Sequence, residues 1–161
     1  PFRIPDDEPV AQVHGAKVGS AAGTTFVLSH PQDPPMQKTT IETSGAPAPI
    51  GPYSQAVRCG DMLFISGQIA LDPSTGQLLT ADTASETHRV MQNLQAVLQA
   101  AGMDFSNVVK TTIFLSDMAL FADVNAVYAT YLSGAYPARE TVAVAGLPRG
   151  VNVEISMVAC A

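Results

Sequence analysis

From Gln55 onward the hydrophobic positions switch between a period of two and a helical period, and each switch marks an element. Gln55 to Arg58 and Met62 to Ser66 are strand-like runs joined through Cys59-Gly60-Asp61, where Gly60 supplies turn freedom, so they predict a β-hairpin. Asp72-Pro73-Ser74-Thr75-Gly76 reads as a turn, and Thr83-x-x-Glu86 has the form of a capping box. Behind that box Val90, Met91, Leu94, Val97, Leu98 and Ala101 share one helical face, and Gly102 closes the helix. Val108 to Leu115 is β-branched and short, which predicts a strand reached by a β-α-β crossover. Ser116 or Asp117 can cap a second helix, in which Phe121, Val124, Tyr128, Tyr131 and Leu132 recur at helical spacing until Gly134.

Two closing strands follow, Arg139 to Ala145 and Val151 to Ala159, separated by the turn-forming residues 146–150 and expected to pair as another hairpin. In the last strand Val151, Val153, Ile155, Met157 and Ala159 point one way, towards the helices, while Asn152, Glu154 and Ser156 point the other. The pattern predicts a two-layer α+β domain: a mixed sheet, both helices on one face, and a second face with polar groups where partner subunits and a site would meet.

Residues 1–35 do not share this pattern. They hold half of the twelve prolines, an acidic cluster at Asp6, Asp7 and Glu8, and a small-residue stretch from Gly15 to Gly23. This reads as an N-terminal extension, disordered or foreign to the domain, in which Thr24 to Ser29 can pair as a short edge strand. The domain proper is expected over residues 36–161.

Composition narrows the class. A chain of 161 residues suits one globular domain, and a content of 47% hydrophobic and only 14% charged residues points to subunit packing. A net charge of −6, with no window that concentrates Lys and Arg, disfavours nucleic acid as a partner. Cys59 and Cys160 form no CxxC or Cys/His cluster, so two reduced thiols in a cytoplasmic protein are expected rather than a disulfide or a zinc site. No apolar run approaches the ~18 to 20 residues of a membrane span, and no secretory signal opens the sequence.

The sequence has no GxSxG, P-loop, GxGxxG or HExxH pattern, so neither a cofactor nor a metal is expected. His14, His30 and His88 are scattered and read as solvated. The remaining candidates are polar residues on strand faces or beside Pro and Gly: Tyr53, Ser66, Arg139 and Glu154. Arg139 can fork onto a substrate carboxylate, or form a rim salt bridge with Glu140 or another acid. Glu154, the only charged residue of its strand, is either structurally paired or a base for water. Gly67 lets a backbone N–H approach a ligand closely, and Tyr53 and Ser66 offer hydroxyl donors; a hairpin turn and a capped hydroxyl are the plainer readings.

GPYSQA at 51–56, ISGQI at 65–69, ETHRVMQNLQAVLQAAG at 86–102, VVKTTIFLSD at 108–117, VNAVYATYL at 124–132, YPARETV at 136–142, LPRG at 147–150 and VEI at 153–155 together resemble the Rid (YjgF) family of reactive intermediate deaminases. The resemblance runs from about Thr40 to Ala159 and leaves out residues 1–35. It implies a chorismate-mutase-like fold and a homotrimer with three clefts between subunits. It also implies cofactor-free hydrolysis of 2-imino acids such as 2-iminobutanoate and 2-iminopropanoate to 2-keto acids and ammonia.

By the same resemblance Arg139 of the PAR motif binds the substrate carboxylate and marks the deaminating branch. Tyr53, Ser66, Gly67, Asn125, Thr141 and Glu154 match the other site positions, with Glu154 as base and Tyr53 helping to fix the imine. Two features depart from the family pattern: the extension, and Glu140 directly after the arginine, which strand alternation sends to the opposite face. The alternatives are an endoribonuclease or translation inhibitor, and a non-catalytic metabolite-binding or chaperone protein.

Overall fold

The computed structural model describes residues 37–161. The expected extension and its Thr24 to Ser29 strand lie outside the described residues. Eight main elements follow in order: β1 (Lys38–Ile41), β2 (Ala56–Cys59), β3 (Met62–Gln68), α1 (Thr83–Ala100), β4 (Val108–Leu115), α2 (Phe121–Ala129), β5 (Ala138–Ala143) and β6 (Val153–Cys160). They build one six-stranded mixed sheet of order β1-β2-β3-β6-β4-β5, with both helices packed on one face. This is the expected two-layer α+β fold.

The β2-β3 hairpin forms as predicted, around Gly60 at φ 58°. β1 was not legible, because KTTI carries a single large apolar residue and is largely exposed. The expected hairpin between the closing strands does not form. β5 lies at the sheet edge, parallel to β4 and reached through α2, whereas β6 enters the centre, antiparallel to both β3 and β4. Burial explains the exchange. Val153, Ile155, Met157 and Ala159 of β6 are at most 2% exposed and need neighbours on both sides, while β5 is mostly exposed and tolerates an edge. The crossover from β3 through α1 to β4 is correspondingly split, with β6 filling the gap.

The core lies between the sheet and α1, whose Val90, Met91, Leu94, Val97 and Leu98 are fully buried against Leu63, Ile65, Ile113, Leu115 and the apolar face of β6. Burying each such side chain contributes about 1.5 to 3 kcal/mol. Gly102, at φ 72°, closes α1 as expected. The second helix ends sooner than its hydrophobic spacing implies. Asp117 caps a 3-10 turn by accepting from Ala119 N at 2.8 Å, and α2 stops at Ala129, where the Thr130 hydroxyl donates back to the Val127 carbonyl at 2.7 Å. Tyr131 and Leu132 pack on the core from beyond the helix.

The capping box is also corrected. The N-cap of α1 is Asp82, whose carboxylate accepts from Ser85 N at 2.8 Å and from Ser85 Oγ at 2.7 Å. Those two bonds hold the Asp82 carboxyl below its usual range. Glu86 instead turns inward: fully buried, it accepts from Asn152 N at 2.6 Å, Asn152 Nδ2 at 2.9 Å and Val153 N at 3.0 Å. The start of β6 presents N–H groups to α1, and a buried carboxylate is tolerated where such donors surround it.

Removing the true cap in Asp82→Ala is expected to lower the urea denaturation midpoint clearly, against little change for Thr83→Ala. The reverse order would contradict Asp82 as the cap.

Candidate active site

The residues singled out in the sequence gather at two places. At the first, Tyr53, Ser66, Gly67 and Glu154, with Ile50, Ile69 and Pro148, line a concavity of about 380 Å³. β3 departs from regular pairing with β6 between Ile65 and Gln68, so Ser66 and Gly67 sit in a local irregularity. Ser66 is tied back to the preceding loop, its N–H to the Gln55 carbonyl at 3.0 Å and its Oγ to the Ser54 carbonyl at 2.7 Å. The capped-hydroxyl reading therefore holds for its proton, and Ser66 Oγ retains its acceptor capacity.

Gly67 leaves room for Glu154: a Cβ at that position would run into the Glu154 carboxyl and displace it, so the Glu154 side chain lies against the bare backbone of β3. The Glu154 carboxyl makes no hydrogen bond or ion pair among the described residues. Its partial burial pushes its pKa up from the ordinary value of 4.5. A carboxylate that is desolvated and unpaired is a stronger base than one in water. Tyr53 is about half exposed, and its hydroxyl oxygen receives the Ile50 N–H at 3.4 Å. The loop bearing it is anchored by buried Gln55, whose amide accepts from Thr43 N at 2.7 Å and donates to the carbonyls of Thr43, Ala46 and Pro47.

At the second place, Arg139, Asn125, Tyr128, Ala129, Tyr136 and Pro137 line a concavity of about 390 Å³. Arg139 Nη1 donates to Asn125 Oδ1 at 2.9 Å, and the guanidinium carbon stands 5.1 Å from the Tyr128 ring centroid and 5.8 Å from that of Phe121. Cation-π attraction of about 0.5 to 1 kcal/mol and one hydrogen bond thus hold the fork without neutralising it. The salt-bridge alternative fails. Glu140 points to the other face, where it binds Lys110 Nζ and accepts from Thr112 Oγ1 at 2.6 Å, contacts that hold its carboxyl below the usual range. Arg139 has no acidic partner among the described residues. Thr141 lies two positions along, its Oγ1 buried and without a hydrogen-bond partner.

Strand parity separates the two places. Arg139 pairs with Thr111 and Thr141 with Ile113, both buried beneath the helices, so Arg139 and Thr141 belong to the helix-bearing face. Glu154 pairs with Phe114, which alternates with those residues and belongs to the open face. Two strand spacings, about 10 Å, also separate β5 from β6. One chain therefore cannot bring Arg139 and Glu154 to the same small molecule.

His88 forms a structural contact, its Nδ1 lying 2.9 Å from Tyr131 Oη; His14 and His30 lie outside the described residues. Among the described residues no group of three or more His, Cys, Asp or Glu side chains is arranged to hold a metal, and no helix is long and apolar enough to cross a membrane. Sequence reasoning missed two supporting residues of α1. Besides Glu86, the fully buried Asn93 donates to the carbonyls of Ile69 at 3.0 Å and Leu71 at 2.9 Å. The available signal was their spacing, since positions 86 and 93 share the stripe of Val90, Leu94 and Val97.

Comparison with known proteins covers the same segment. The profile of the endoribonuclease L-PSP family matches residues 43–161. Protein DfrA of Myxococcus xanthus is 53% identical over 126 residues, 77% of this chain and 96% of its own length. The 2-iminobutanoate/2-iminopropanoate deaminase of Mus musculus is 51% identical over 122 residues, 76% of this chain and 90% of its own. Among solved structures, RidA from an Antarctic Psychrobacter bacterium superposes with a TM-score of 0.74 at 41% identity, covering 76% of this chain and 99% of that one. Profile, identity and fold coincide: the chain belongs to the endoribonuclease L-PSP family, that of the Rid (YjgF) proteins.

Proposed function

We propose that this protein hydrolyses 2-imino acids, 2-iminobutanoate and 2-iminopropanoate among them, to 2-keto acids and ammonia, in clefts completed by two neighbouring copies of a homotrimer. The observation that carries the reading is Arg139, an oriented guanidinium with no acidic partner among the described residues, which suits a substrate carboxylate. The activity named for the mouse relative has a substrate of that kind. Strand parity supports the shared cleft, with Arg139, Thr141 and Asn125 supplied by one chain and Tyr53, Ser66, Gly67 and Glu154 by the next. Phe64 and Val142, exposed on the open face, offer apolar surface for such packing.

Arg139 would clamp the carboxylate, held in place by Asn125, while Ser66 Oγ adds to the polar lining and Thr141, two positions after Arg139, takes the site position that the family resemblance gives it. Tyr53 and the Gly67 amide would orient the imine. Glu154 takes a proton from water as the water oxygen bonds to the imine carbon, and returns it to the imine nitrogen to give a carbinolamine. Glu154 then takes the carbinolamine hydroxyl proton and passes it to the nitrogen as the C–N bond breaks, so ammonia leaves, the oxygen becomes the keto group and the carboxylate is regenerated. No redox cofactor enters this balance. The net charge of −6 supports a small-molecule substrate over a polyphosphate. The proposed working unit is residues 36–161, in keeping with a compact unit that spans Pro35–Ala161, and the proposed location is the cytoplasm.

The test generates 2-iminobutanoate in situ with a dehydratase and follows its decay. Arg139→Ala is expected to lower kcat/KM by about ten- to a hundredfold, as loss of a charge-assisted hydrogen bond worth roughly 1.5 to 3 kcal/mol implies. Glu154→Gln should lower kcat by about 10² to 10⁴. No acceleration over buffer, or full activity in Arg139→Ala, would overturn the reading.

Because Glu154 must be ionised to act and burial raises its pKa, kcat should rise with pH through a midpoint above 4.5. Glu154→Gln should lose that limb, and a midpoint at or below 4.5 contradicts the assignment.

A further inference from the structure

We infer that Glu86, buried in α1 and outside the cleft, is a positioning residue for Glu154. The inference rests on the deaminase reading and names the group that sets its base in place. Glu154 stands two residues after Asn152, at the point where the chain leaves the Pro148–Gly150 turn and enters the sheet. That turn is strained, with Arg149 in the left-handed region at φ 58° and Gly150 at φ 71°. Pro148, at its start, forms a wall of the same concavity as Glu154.

The segment from Pro148 to Val153 therefore carries two parts of the site and joins a strained turn to a strand. Glu86 holds it at three points. Oε1 accepts both backbone N–H groups, from Asn152 at 2.6 Å and Val153 at 3.0 Å, and Oε2 accepts from Asn152 Nδ2 at 2.9 Å. Asn152 is fixed further by Ser116, whose Oγ donates to Asn152 Oδ1 at 3.0 Å and whose N–H donates to the Asn152 carbonyl at 3.0 Å. The Glu154 carboxyl has no partner of its own among the described residues, so its place depends on its backbone and on the bare approach to Gly67. A shift of the Asn152–Val153 backbone moves that carboxylate directly. Glu86 is fully buried and does not line the concavity, so its effect on chemistry passes through β6.

The experiment compares Glu86→Ala and Glu86→Gln with a core truncation of the same helix, Leu94→Ala, measuring kcat and KM per folded trimer with 2-iminobutanoate. Glu86→Ala should lower kcat by about ten- to a hundredfold, as an ångström-scale misplacement does, while KM stays near wild type because Arg139 is untouched. Glu86→Gln keeps an oxygen acceptor for both backbone N–H groups and should restore kcat to within about threefold of wild type. Leu94→Ala should lose stability but keep kcat. If Glu86→Ala does not accumulate folded, Glu86→Asp, one methylene short of both amides, should show the same fall in kcat. A wild-type kcat in whichever of these two folds, or a fall in Leu94→Ala equal to theirs, overturns the inference. A wild-type protein without imine hydrolysis overturns instead the deaminase reading beneath it.

Discussion

Both faces of β6 are committed, and the rest of the molecule is arranged around that constraint. Val153, Ile155, Met157 and Ala159 are driven under the helices by burial, which forces Glu154, Ser156 and Val158 onto the opposite face. Register with β4 carries the same parity outward to β5. Arg139 shares a face with Met157 across Thr111, and Glu140 shares the open face with Ser156 across Thr112. One pleat thus settles three matters at once: the core is continuous, the acid beside the arginine is turned away from it, and the arginine and Glu154 cannot converge within one chain. The proposed cleft between copies builds on that geometry, each chain then offering one half of what imine hydrolysis would require.

Polar residues buried in α1 connect this frame to the site. A carboxylate or a carboxamide in a core costs several kcal/mol unless its hydrogen bonds are made. Glu86 meets that demand with the amides at the start of β6, and Asn93 with the carbonyls that follow β3. These are the two segments that bring Glu154 and Ile69 to the concavity. The helix thereby sets the height of both walls from below, while its apolar residues hold it to the sheet. Gln55 does the same for the Tyr53 loop through four hydrogen bonds.

The fold was legible where pattern and burial agree. The α1 stripe, the β2-β3 hairpin around Gly60 and the alternation of β6 could all be read, because a half-buried surface imposes its period on the residues. Pairing of the last two strands could not be read, since adjacency in sequence favours a hairpin and only the relative burial of β5 and β6 decides which takes the centre. Glu86 was misread for a similar reason. An acid three residues after Thr83 satisfies a local rule, but Asp82 caps the helix and the amides of Asn152 and Val153, 66 residues and more away, claim the carboxylate. Candidate site residues were recognised one by one and through family resemblance, yet their division between two faces of one sheet appears only once the register is known.

The most direct test of a cleft shared between chains is complementation by mixing. Arg139→Ala and Glu154→Gln, each expected to be strongly impaired alone, are unfolded together, refolded at equal ratio and assayed for 2-iminobutanoate decay against each variant by itself, with mixed assembly verified by mass spectrometry. Random mixing places an intact arginine opposite an intact glutamate in roughly a quarter of the clefts, so about that fraction of wild-type activity should return. Mixed trimers that form and remain inactive would contradict the shared cleft.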